Sequence, residues 1–199
     1  MPFLFFHLAG EIRNQILRLL LTHTTPILTR NAHQLAPPKP TMMNLSPNIL
    51  LASKRTHAEG LTILYGENLF QAHPSYLASM LFALDPSRTV NSSICHSLIR
   101  RFHIRVRLDC DSFYNKEDVT RVFDGADVLE VEVFRSSWGN GGYEALEGYR
   151  DVRGVRKARV HGSLPAPTAR WLESCMEGDR EEAVEGWGCE EDEESYWDR

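Results

Sequence analysis

Cys95, His96, His103 and Cys110 are the side chains whose types could ligate a metal ion, since zinc is held by thiolates and imidazoles. A zinc site also needs ligands in close pairs, Cys-x-x-Cys or His-x-x-x-His, and these four residues supply none. His103 and Cys110, seven apart, would also point to opposite faces of a continuous strand. No metal or other cofactor is expected. Arg101, His103, Arg105 and Arg107 alternate with apolar residues and, alone, would make a phosphate-binding row. Nucleophilic catalysis needs an activated Ser or Cys beside a base and an orienting group, and no such signature or nucleophile elbow occurs. Gly139-Asn140-Gly141-Gly142 lacks the Lys-Ser/Thr that follows a phosphate loop, and reads as a turn, with Trp138 covering a sheet edge or offering an exposed contact. The chain therefore reads as non-enzymatic, with no small-molecule substrate.

The basic row belongs to a weak repeat. Ile99-x-x-Phe102-x-Ile104-x-Val106 recurs as Ala126-x-x-Leu129-x-Val131-x-Val133 and as Val155-x-x-Ala158-x-Val160-x-Gly162, each an alternating strand. Helical patterns lie between and after them: Val119, Val122 and Phe123 behind an Asn115 cap, Leu146 with Tyr149, and Leu172, Cys175 and Met176 after Pro167. Strand and helix in alternation imply right-handed crossovers and a small parallel sheet, in the manner of a leucine-rich repeat without its strict consensus. Opposite the apolar set the second strand carries Glu130 and Glu132, and the third Lys157, Arg159 and His161. If the strands pair in chain order, glutamates lie between two basic rows and form cross-strand pairs of about 0.2 to 1 kcal/mol each.

The first half reads as helical. Leu8, Ile12, Ile16, Leu19 and Leu20 form one stripe of a helix over about 9–22, a stripe expected to be buried. A second helix is expected over about 47–65, with Leu51, Ala58, Leu61 and Tyr65 on one face and Gly66 ending it. Asn68 to Ala72 is a short extended segment, and a third helix through Tyr76, Leu77, Met80, Leu81 and Leu84 stops at Asp85-Pro86.

The block from Phe3 to Leu21, containing Leu8-Ala9-Gly10-Glu11-Ile12-Arg13-Asn14, and the block from Ile49 to Phe70, containing Arg55-Thr56-His57-Ala58-Glu59, Leu64-Tyr65 and Asn68-Leu69-Phe70, resemble a group of fungal F-box-like proteins. Ala9 stands where that group usually has proline. The resemblance implies a small helical unit that docks on a Skp-family adaptor of a cullin ubiquitin ligase. Leu8, Glu11, Ile12 and Ile16 would take the docking role, and a downstream repeat would hold the substrate.

Charge is uneven. Net charge is −5, but from Glu177 to Arg199 there are 11 acidic against 2 basic residues, a net of −9, which leaves the rest with 16 acidic against 20 basic, a net of +4. Such a tail, with few aliphatics, is expected to be disordered, with Trp187 and Trp197 as contact residues. Sparse cysteines fit free thiols in a reducing compartment. The apolar start lacks a basic leader region, and no run is long enough to span a membrane. The expected class is thus α+β: an F-box-like helical unit over 1–86 with a Pro-rich loop at 24–47, a three-unit parallel strand-and-helix stack over 87–176, and an acidic tail over 177–199. The expected role is binding of protein partners in the cytoplasm or nucleus, as an F-box-type adaptor or as a scaffold without ubiquitin-ligase association. The rival is a nucleic-acid-associated protein using the basic strand at 100–107, through Arg100, Arg101, Arg105 and Arg107; no nucleic-acid-binding motif accompanies those charges.

Overall fold

The computed structural model describes residues 5–23, 45–83, 89–109, 114–135 and 142–178. Most of the Pro-rich segment, Cys110, Trp138 with the glycine turn at 139–141, and the acidic tail with Trp187 and Trp197 lie outside the described residues. The described residues are α+β, with a five-stranded, mostly parallel sheet. In chain order the elements are α1 (Gly10–Leu21), α2 (Lys54–Glu67), β1 (Phe70–His73), β2 (Leu77–Phe82), α3 (Ser93–Leu98), β3 (Arg101–Arg107), α4 (Lys116–Phe123), β4 (Val128–Phe134), α5 (Glu147–Arg150), β5 (Ala158–Gly162) and α6 (Ala166–Glu177). The strand order is β2-β1-β3-β4-β5. Two compact units result, residues 1–71 with 80–102, and residues 72–79 with 103–199.

In the first unit α1 follows a 3-10 turn at Phe5–His7 and carries good helix formers, with Glu11 in its first turn and Arg18 in its last to complement the helix dipole. Its buried side is Arg13, Leu17 and Leu21, not the expected stripe of Leu8, Ile12, Ile16, Leu19 and Leu20: Ile12 is 43% exposed and Leu19 82%. Leu17 and Leu21 pack with Ile63, flanked by Phe5, Leu20, Ile49, Leu50 and Leu64. The physical reason is that α1 is apolar on two faces, and the guanidinium of Arg13 finds a carboxylate that lets its own side close onto the core.

The second helix is also shorter than its pattern. Pro47–Leu51 is a 3-10 turn, and α2 begins only after Ser53, whose hydroxyl oxygen accepts from the Thr56 N–H at 3.1 Å. Thr56, Gly60 and Ile63 are its buried residues, while Leu51 and Ala58 of the expected face are exposed and Gly66 lies inside the helix. Gly60 is required by close approach, since a Cβ there would sit 2.3 Å from Leu50 Cδ2 and 3.0 Å from Leu21 Cδ1. The extended segment at 68–72 leads into β1, but Leu77, Met80 and Leu81 of the expected third helix lie instead on β2, while Leu84 and Asp85-Pro86 lie outside the described residues. Leu77 and Leu81 are each buried, yet a spacing of four is a multiple of two and serves a strand as well as a helix. Leu77 also takes φ +44°, a left-handed conformation that starts no right-handed helix.

The apolar positions of the strand motif fall on β3, β4 and β5 and on the residues just before them. Of its twelve apolar positions Ile99, Phe102, Ile104, Val106, Ala126, Leu129, Val131, Val133, Val155, Ala158 and Val160 are buried, and only Gly162 is exposed. β4 and β5 pair in parallel, with Leu129 opposite Ala158 and Val131 opposite Val160. α4 is capped as its sequence predicts: Asn115 Oδ1 accepts from the Asp118 N–H at 2.8 Å and Asp118 Oδ2 accepts from the Asn115 N–H at 3.4 Å. Val119 and Phe123 of α4, Leu146 and Tyr149 around α5, and Leu172, Cys175 and Met176 of α6 are all buried. These are the helical patterns expected between the strands.

Candidate interaction surfaces

The polar residues of the two N-terminal blocks divide into those the unit uses and those it leaves outward. Arg13 donates from Nε and from one terminal nitrogen to Glu59 Oε2 and Oε1 at 3.0 and 2.8 Å, and from the other to the Leu8 carbonyl at 2.7 Å. This two-pronged clamp ties α1 to α2, and hydrogen bonding from Arg13 holds the Glu59 carboxyl below its ordinary range. Arg55, one turn before Glu59, adds a third donor at 3.0 Å. Arg18 and Glu67 make a second, exposed pair between the same helices.

Asn68, nearly fully buried, closes both helix ends. Its Nδ2 donates to the Leu21 and Leu64 carbonyls at 2.7 and 2.8 Å, and its Oδ1 accepts from the His23 N–H at 2.8 Å. Helix C-termini leave carbonyls without partners, and one amide side chain serves two of them here. Phe70 stacks on Tyr65, whose hydroxyl is pushed up to about 12 by burial and by its hydrogen bond to Cys95. Arg13, Glu59, Tyr65, Asn68 and Phe70 are thus structural.

The residues left over lie on the other side of α1. Ile12, Ile16 and Leu19 fall at i, i+4 and i+7, a single stripe. Ile12 and Leu19 are exposed, Ile16 and Leu8 half-buried, and Glu11 exposed beside them. A helix with one apolar side already in a core and a second facing outward has a surface that gains by being covered. These are the four residues that the resemblance puts in the docking role, together with Leu19, which it did not mark. The burial pattern alone picks Leu19 out.

The second unit's candidate is the polar face of β3, β4 and β5. Glu132 sits with the Nε of Arg105 at 3.0 Å and His103 Nε2 at 3.6 Å, and lies in register opposite His161, while Glu130 lies opposite Arg159. The expected arrangement of a glutamate between two basic rows is present for Glu132. His103 is only 2% exposed, and neither of its ring nitrogens has a hydrogen-bond partner. Burial, reinforced by the neighbouring His161 and by the positive charge of Arg105, pushes its imidazole down to about 4, so it is neutral at pH 7.

That geometry weakens the phosphate-binding reading of the basic row. Arg105 is held by Glu132 and by the face of Phe134, 4.8 Å away. Arg107 donates to both carboxylate oxygens of Asp109 at 2.9 Å, and Arg101 donates to the Glu67 carbonyl. Of the row, His103 is neutral and the three arginines are engaged within the chain. Trp138, Trp187 and Trp197, the other candidate contact residues, lie outside the described residues.

Among the described residues no group of three or more His, Cys, Asp or Glu side chains is placed to hold a metal ion. Nor is any described helix long and apolar enough to cross a membrane. No protein-family model, no curated protein and no solved structure matches the chain.

Proposed function

We propose that this chain is a protein-protein interaction module whose first helix docks a partner through Leu8, Glu11, Ile12 and Ile16, as an F-box-type substrate adaptor docks on the Skp-family component of a cullin ubiquitin ligase. One observation carries the reading: the outward stripe of α1 is apolar although the helix already contributes Leu17 and Leu21 to the core. An apolar residue with no role in its own fold is what a docking helix displays. The strand-and-helix repeat, leucine-rich-repeat-like in its period, would hold the substrate, and the activity is binding rather than catalysis, inside the cell.

The test is a pull-down of the full chain with a Skp-family adaptor, beside Ile12→Asp. Ile12 is 43% exposed, so the substitution spares the core. Co-purification abolished by Ile12→Asp supports the adaptor reading. If the intact chain fails to co-purify with the adaptor, a scaffold without ubiquitin-ligase association takes its place.

A further inference from the structure

Among the described residues β5 is the last strand of the sheet, and an edge strand ordinarily presents unpaired N–H and C=O groups to any extended chain that meets it. In the parallel pairing with β4, Lys157 accepts from the Leu129 N–H, so the N–H groups of the alternate residues Ala158 and Val160 face away from the sheet. Both are occupied. The Ala158 N–H donates to Glu177 Oε1 at 2.8 Å and the Val160 N–H to Glu173 Oε1 at 2.7 Å.

The match follows from the geometry of the two elements. Residues four apart on a helix are about 6 Å apart along its axis and share a face. Residues two apart on a strand are about 6.6 Å apart and share an edge. Glu173 and Glu177 of α6 therefore meet successive outward donors of β5, in reverse order because the helix runs back along the strand it follows. Neither glutamate is among the residues that α6 buries, which are Thr168, Ala169, Leu172, Cys175 and Met176.

We propose that Glu173 and Glu177 are a lock on the β5 edge, and that the strand they exclude is the β5 edge of a second copy of this chain. A freed edge offers donors and carbonyl acceptors at the same residues, 158 and 160, which makes it self-complementary under a two-fold rotation. Within the folded chain the lock occupies the two donors that such antiparallel pairing needs.

The test compares the full chain with Glu173→Ala/Glu177→Ala and with Glu173→Gln/Glu177→Gln, by sedimentation velocity over a concentration series and by amide hydrogen exchange. Alanine removes the acceptor but strengthens the helix, so α6 persists. Glutamine keeps an Oε1 acceptor and loses only charge. At low concentration the Ala158 and Val160 amides of the alanine variant exchange about tenfold faster than in the intact chain, the worth of one hydrogen bond. On concentration this variant forms a dimer and those two amides regain protection, while the intact chain and the glutamine variant stay monomeric. An alanine variant monomeric throughout, a dimer that leaves both amides unprotected, or a glutamine variant that dimerises equally would each overturn the proposal.

Discussion

His103 sets a pH dependence whose sign and size follow from its burial. His103 is 2% exposed and titrates at about 4 in the folded chain against 6.5 when exposed, the cause being burial first and then the neighbouring His161 and the charge of Arg105. The Glu132 carboxylate at 3.6 Å would act the other way, but it already receives Arg105 at 3.0 Å. Between pH 6.5 and 4 the unfolded chain therefore holds a proton that the folded chain does not, and stability falls as pH falls through that window. The stabilisation is complete above pH 6.5. Relative to pH 7.5, the loss from this group is about 1 kcal/mol at pH 5.5 and about 2 to 3 kcal/mol at pH 4.5, levelling at about 3 kcal/mol below pH 4. Urea unfolding at these pH values, for the intact chain and for His103→Leu, isolates the group because other carboxylates titrate alike in both. The expected result is a stability difference between the two proteins that shifts toward the variant by the stated amounts as pH is lowered. A difference that stays constant from pH 7.5 to 4.5 would refute the reasoning. One that moves toward the intact chain would show that the imidazolium pairs with Glu132 and that burial is the smaller effect.

Asn68→Ala leaves the Leu21 and Leu64 carbonyls and the His23 N–H without their side-chain partner, and lowers stability by about 2 to 3 kcal/mol in chemical denaturation; Asn68→Asp, which keeps the acceptor but sets a carboxylate against two carbonyls, does no better. An aspartate variant as stable as the intact chain would mean that only the His23 bond matters. On α1, Leu17→Ala costs about 3 kcal/mol by cavity formation and Leu19→Ala less than about 0.5, a contrast in melting temperature that reversed values would contradict. Glu132→Gln removes the charge facing Arg105, a half-exposed pair, and lowers stability by less than about 1 kcal/mol; an unchanged or raised melting temperature would show that the pair contributes nothing.

The second half of the chain was readable because its signals agree. The strand repeat, the Asn115 cap and the apolar residues of α4 and α6 all point to one arrangement, and a parallel sheet covered by helices needs that alternation. The glutamate between basic rows was also legible, since period two alone assigns Glu132 to the face of Arg105 and His103. The first half misled where one pattern serves two purposes. Ile12, Ile16 and Leu19 are as regular as Arg13, Leu17 and Leu21, and no periodicity distinguishes a side that meets its own core from one that faces outward. An arginine counted as polar marks the outer face by default, whereas Arg13 turns inward because Glu59 waits 46 residues later. β2 was missed because Leu77 and Leu81 suit either period, and α3, only six residues long, has too few residues to show one. The Glu173 and Glu177 contacts with β5 were hidden for a related reason: on a helix such residues read as ordinary solvent-facing charges.

The claim that α1 docks a protein through its outward stripe is tested most directly by titration calorimetry of the full chain against a purified Skp-family adaptor, with Ile12→Asp as the paired sample. Docking through the stripe predicts a one-to-one complex for the intact chain and loss of measurable heat for Ile12→Asp, with the same urea midpoint for both proteins. Binding of equal strength by Ile12→Asp, or no complex with the intact chain, would contradict it.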